Sequence, residues 1–168
     1  FIKPGTVHAA EGGILICEIQ ESSDMTFRLY DWGRENNPAT ARKMHLDEAV
    51  DIIDYKKYER ADRLSSGLDQ ELSAECIADC PQFTVNHLIL DDRILICTDK
   101  RDSFLIYSCI KGKVSLEMDE ENGRTKKYTL EQGDTILVPA ECPRFTLNPL
   151  EKKSELLESF IPDCQMSL

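Results

Sequence analysis

After Pro81 the chain becomes a train of short apolar segments: FTVNHLIL (83–90), RILICTD (93–99), FLIYSCI (104–110), KVSLEMDE (113–120), KKYTL (126–130), DTILVP (134–139), FTLN (145–148) and SELLESFIP (154–162). No other feature restricts the fold as much. The segments are rich in β-branched and aromatic residues, and turn-forming ENG (121–123) and EQGD (131–134) lie between them. A strand of this length satisfies its main chain only by pairing with neighbours, and eight of them at regular spacing imply a β-sandwich or barrel of the jelly-roll kind. With 168 residues the chain has room for one good hydrophobic core or two small ones.

The N-terminal third reads differently. GGILICEIQ (12–20) has the composition of a strand, with Ile14, Ile16, Glu18 and Gln20 on one face at period two; MTFRLYDW (25–32) alternates as well, and ESSD (21–24) is the expected turn between them. From His45 the period lengthens. HLDEAVDIIDYKKY (45–58) places Leu46, Ala49, Val50 and Ile53 on one helical stripe, with Asp47 and Glu48 in its first turn and Lys56 and Lys57 in its last. Residues 59–82 are polar with a central SSG and read as an extended or mixed connector.

A formal net charge of −11 disfavours nucleic acid and anionic membrane as partners, and no apolar run approaches the roughly 18 residues needed to span a bilayer. Seven cysteines with no CxxC pair suggest reduced thiols in a cytoplasmic protein; Cys76 and Cys80, spaced as on one helix face, are the nearest thing to a metal pair. FIKPG has neither an initiating Met nor a signal pattern, so a fragment of a longer protein is expected.

Around residue 133 the chain runs GDTILVPAECPRFTLN, with Gly133, Pro139, Glu141, Arg144 and Asn148 at the spacing G-x5-P-x-E-x2-R-x3-N. This is similar to the second signature of cupins. Arg144 stands where that signature has a metal-ligating histidine, and a protonated guanidinium has no lone pair to donate, so a metal-free C-terminal barrel is expected. KPGTVH near the N-terminus resembles the end of the same signature with its histidine retained as His8.

GTVHA, then Glu18, Ser23, Asp24 and Arg28 in an ExxxxSDxxxR spacing, then YDWGR, resembles the type I mannose-6-phosphate isomerases, densely over residues 3–34. The resemblance implies a mainly β, cupin-type fold (a double-stranded β-helix) with a short helical bridge. Its parts would be residues 1–40 as the C-terminal remnant of a truncated catalytic barrel, 41–82 as helix and connector, and 83–168 as the metal-free barrel. It implies zinc-dependent interconversion of mannose 6-phosphate and fructose 6-phosphate, with His8 as a metal ligand, Arg28 and Glu18 as catalytic residues, and Arg28 and Gln20 contacting substrate. The other zinc ligands would belong to a missing N-terminal half of the same protein, so tight one-to-one zinc uptake by this chain alone is not expected. Isomerisation through an enediolate needs oxyanion charge stabilised as it develops, and a metal and a permanently charged arginine suit that task. Glu18 could orient a ligand, contact sugar hydroxyls or carry a proton. As bland alternatives, Arg28 could pair with Asp24 or Asp31, Tyr30 and Trp32 read as packing residues, and His45 and His87 read as structural. A non-catalytic cupin module that binds a sugar or mediates homo-oligomerisation is the competing function; a metal-dependent cupin oxygenase is disfavoured by the absence of a His-rich first signature.

Overall fold

A computed structural model of the chain describes residues 1–23, 25–57, 73–99, 101–120 and 123–162. The chain divides into two compact units, Phe1–Ala61 and Asp62–Leu168.

The second unit contains every strand found among the described residues: β1 (Ser73–Asp79), β2 (Thr84–Leu90), β3 (Ile94–Cys97), β4 (Leu105–Lys111), β5 (Lys113–Asp119), β6 (Thr125–Glu131), β7 (Thr135–Val138), β8 (Arg144–Pro149) and β9 (Ser154–Phe160). They form a five-stranded sheet in the order β1-β2-β9-β4-β7 and a four-stranded sheet in the order β3-β8-β5-β6, every pair antiparallel. The late strands β9 and β8 each insert between earlier ones, which produces the jelly-roll topology. All eight segments expected after Pro81 are strands. β1 lies in the expected connector, and so Cys76 and Cys80 belong to a strand and its end rather than to a helix face. Residues 59–72 of that connector and the first two residues of the ENG turn fall outside the described residues.

Alternation makes each sheet two-faced. In β4, Leu105, Tyr107 and Cys109 are buried while Ile106, Ser108 and Ile110 are only partly so. The buried sides of the two sheets meet, Leu88, Leu105, Tyr107 and Leu156 from one packing with Val114, Leu116, Leu130, Phe145 and Leu147 from the other. Gly112 makes the turn between β4 and β5. Its φ is +75°, and a Cβ there would lie 2.5 Å from Ser154 Oγ and 3.1 Å from Ser154 Cα. That close approach lets Ser154 Oγ accept the Lys113 N–H at 3.1 Å.

The first unit has little regular structure. Its described residues contain one 3-10 turn (Arg34–Asn36) and one short helix, α1 (Leu46–Val50). Neither 14–20 nor 25–32 forms a ladder among the described residues, so the expected hairpin is not present. Strand-forming composition is expressed only where an edge is available to pair with, and none pairs with these segments. The helix is also shorter than the expected span of 45–58. Of its apolar stripe only Ala49 is fully buried, while Leu46 and Val50 are exposed, and a helix with so little to pack against does not propagate.

Candidate functional site

The residues singled out in the first 34 positions all lie in the first unit. Gly5 anchors the turn that carries His8. Its φ of +82° and the 2.8 Å that would separate a Cβ from the Ile52 carbonyl oxygen leave room for glycine alone, and the Gly5 carbonyl accepts the Asp54 N–H at 2.9 Å. One residue on, the Thr6 carbonyl lies 2.9 Å from His8 Nδ1. A carbonyl only accepts, so Nδ1 bears the hydrogen and Nε2 keeps its lone pair on an exposed ring. Histidines that bind metals are commonly oriented in this way.

Arg28 is cradled by residues 43–45. Its main-chain N–H donates to His45 Nδ1 at 3.0 Å, its carbonyl accepts the His45 N–H at 2.9 Å, and its Nη1 donates to the Lys43 carbonyl at 3.1 Å. His45 is the N-cap residue of α1, its carbonyl accepts the Ala49 N–H at 2.9 Å, and its ring meets Phe27 edge-on at 6.0 Å. The expected position of His45 at a helix N-terminus is therefore observed, together with a role that spacing could not show.

Asp31 does not pair with Arg28. The carboxylate, only 1% exposed, takes Nε of Arg42 at 3.0 Å and also Nη2 of the same guanidinium, and Arg34 Nη2 approaches it at 3.0 Å. The Arg42 hydrogen bonds, opposed by burial and assisted by the Arg34 charge, hold this carboxyl below the ordinary carboxylate range. Asp24, the other partner considered for Arg28, lies outside the described residues. Tyr30 and Trp32, expected to pack, are 63% and 50% exposed and make an edge-on pair with each other at 5.4 Å. Glu18 and Gln20 are exposed, and with no ladder through 14–20 they share no sheet face. Among the described residues no hydrogen bond or ion pair joins His8, Glu18, Gln20 and Arg28 to one another.

In the second unit Arg144 opens β8 and is exposed, whereas Phe145 faces inward and meets Tyr107 edge-on at 5.8 Å. The polar residues inside this unit are elsewhere. Asn86, Glu158 and Tyr107 stand in register across β2, β9 and β4. The Glu158 carboxylate accepts Tyr107 OH at 2.7 Å and Asn86 Nδ2 at 2.8 Å, and Arg101, its guanidinium 4.3 Å over the Phe160 ring, brings Nη1 to 3.7 Å. Sequence reading passed over this row, although Ser154, Leu156, Glu158 and Phe160 share one phase of β9 and would have revealed an inward glutamate.

Residues 75–152 match the family model described as mannose-6-phosphate isomerase, cupin domain. This segment is a mannose-6-phosphate isomerase cupin domain. The chain is also 28% identical over 147 residues to the mannose-6-phosphate isomerase ManA of Bacillus subtilis, covering 88% of this chain and 44% of that protein. With the mannose-6-phosphate isomerase of Streptococcus mutans it is 27% identical over 139 residues, or 83% of this chain and 42% of that one. Among solved structures, the mannose 6-phosphate isomerase from Bacillus subtilis superposes with a TM-score of 0.64 at 25% identity, over 82% of this chain and 40% of that chain. The chain thus spans less than half the length of the curated relatives it matches.

Proposed function

We propose that this chain is the C-terminal portion of a mannose-6-phosphate isomerase, which interconverts mannose 6-phosphate and fructose 6-phosphate through an enediolate. The observation that carries the reading is the match of residues 75–152 to that family's cupin domain, joined to relatives of the same name that cover more than four-fifths of this chain.

In this reading Arg28 lies beside the reacting carbons. Its charge is permanent, and it stabilises the oxyanion that develops as the proton leaves the sugar. Arg42 and Arg34 are engaged directly by Asp31, whereas the Arg28 guanidinium donates to a neutral carbonyl and meets the Asp31 charge only at longer range. Glu18 carries a proton or holds a sugar hydroxyl, and Gln20 hydrogen-bonds the substrate.

Zinc, when bound to such an enzyme, would polarise the sugar oxygens as a Lewis acid. Among the described residues no complete site for it is formed. His8 Nε2 is a suitable donor, but among the described residues no three His, Cys, Asp or Glu side chains are grouped to hold a metal. The remaining ligands, and the strands that pair with 14–20, would come from the part of the relatives' length that this chain does not match. Ile14, Leu15 and Ile16, consecutive and 63%, 93% and 55% exposed, support such a partner segment. The six described cysteines are free, which supports a cytoplasmic setting, and no described helix is long and apolar enough to cross a membrane.

The test is an isomerase assay with mannose 6-phosphate on the full product of the gene, together with its upstream coding sequence. Turnover, with a QxH pair and a further glutamate encoded upstream, is the expected result. A full-length product that binds the sugar phosphate without converting it would instead identify a non-catalytic cupin module.

A further inference from the structure

We propose that His45 is a positioning residue for Arg28, and that it acts only as the neutral imidazole with its hydrogen on Nε2. The proposal rests on the isomerase reading for its consequence in turnover, but its structural part stands alone. Arg28 and His45 exchange two hydrogen bonds: the Arg28 N–H donates to His45 Nδ1 at 3.0 Å, and the His45 N–H donates to the Arg28 carbonyl at 2.9 Å. The second resembles a ladder bond and is indifferent to pH. The first requires a lone pair on Nδ1, so the ring must be neutral and its hydrogen must sit on the other nitrogen.

Arginine cannot be adjusted by ionisation, so whatever it contributes to a reaction depends on where it is held. Here all three hydrogen bonds of Arg28 among the described residues go to residues 43–45, two at its main chain and one from Nη1 to the Lys43 carbonyl, while the Asp31 carboxylate attracts its charge at longer range. His45 in turn is fixed by its place at the head of α1 and by the edge-on Phe27 ring. Protonation of Nδ1 would set two N–H groups against each other and add a cation beside the guanidinium. The clamp therefore exists only while the ring is neutral. Other charged groups around the ring are Glu48 and Asp47 on α1, Lys43 just before it, and Arg28 itself. Lys43 Nζ reaches Glu48 Oε1 at 3.5 Å, so the lysine and the glutamate partly offset each other. None of them offers Arg28 N–H a replacement acceptor among its recorded contacts.

The test is nuclear magnetic resonance on the isotopically labelled 168-residue chain. The His45 ring should show its unprotonated nitrogen at Nδ1, and the Arg28 amide signal should titrate with the same midpoint as that ring. Once the ring is protonated, the protection of the amide, its exchange rate relative to the intrinsic rate at the same pH, should fall by on the order of tenfold, as expected for one lost hydrogen bond. His45→Asn, which keeps an acceptor near Nδ1 but does not titrate, should preserve the slow exchange at every pH; His45→Leu should abolish it. An Arg28 amide indifferent to the ionisation of His45 in the unsubstituted chain would overturn the proposal without any variant having to fold. In the full gene product, turnover should fall on the acid side with the His45 midpoint, and His45→Asn should remove that limb. A protein without isomerase activity that still shows the linked titration would sink the isomerase reading and leave the clamp standing. An active enzyme whose acid limb survives His45→Asn would remove His45 from turnover.

Discussion

Replacing Asp31 by Asn would deprive the guanidiniums of Arg34 and Arg42 of the charge that fixes them, and amides between residues 31 and 42 should exchange with deuterium faster while the second unit is unaffected. The same node gives a pH dependence whose sign is set by the lowered carboxyl of Asp31. Its contribution is fully present above the ordinary aspartate midpoint of about 4 and is lost as the pH falls through the lower folded value, so protection of this loop should persist below pH 4 before collapsing. In the second unit, Tyr107→Phe removes the donor to a buried carboxylate. It should lower stability by about 1–3 kcal/mol, seen as a reduced denaturant midpoint at unchanged slope. Residue types were legible in the sequence, but partners were not. Arg28 was singled out through the family resemblance carried by its ExxxxSDxxxR spacing; that Asp31 would take Arg42, eleven positions away, rather than Arg28 depends on how the loop closes. Likewise Arg144 was read as the residue in the place of the motif's histidine, and in the strand it is exposed while Phe145 turns inward.

Among elements, the turn between β4 and β5 is the least tolerant of change. Gly112→Ala would place a methyl against Ser154 at a backbone angle that L-residues avoid. A loss of about 1–2 kcal/mol from the left-handed conformation alone is expected, with more from the contact, and a lowered thermal midpoint of the second unit is the measurement. An unchanged midpoint would mean that β4 and β5 can part from Ser154 at no cost. The strands from 84 to 160 were legible because each has a paired edge and most have a buried face, so local pattern and tertiary demand agree. Residues 14–20 carry the same apolar pattern without a partner edge, and pattern alone does not make a ladder. α1 illustrates the same limit, since of the stripe read at Leu46, Ala49, Val50 and Ile53 only Ala49 is fully buried, and the helix ends at Val50.

For the whole molecule, the buried cluster that unites the two sheets lies wholly within the second unit. Residues 62–168 expressed alone should therefore unfold cooperatively near the midpoint of that unit in the complete chain; a non-cooperative melt would show that the core depends on residues 1–61. Calorimetry of the 168-residue chain with zinc should show no tight one-to-one uptake, because His8 contributes a single donor to a kind of site that generally uses three. The central claim is that Arg28 acts on the transition state of an aldose–ketose isomerisation. It is tested most directly by steady-state kinetics of the full gene product with mannose 6-phosphate, with and without Arg28→Ala. The expected result is a fall in kcat on the order of 10²–10³ with KM little changed. An unaltered kcat in the variant, or no isomerisation by the unsubstituted protein, would contradict it.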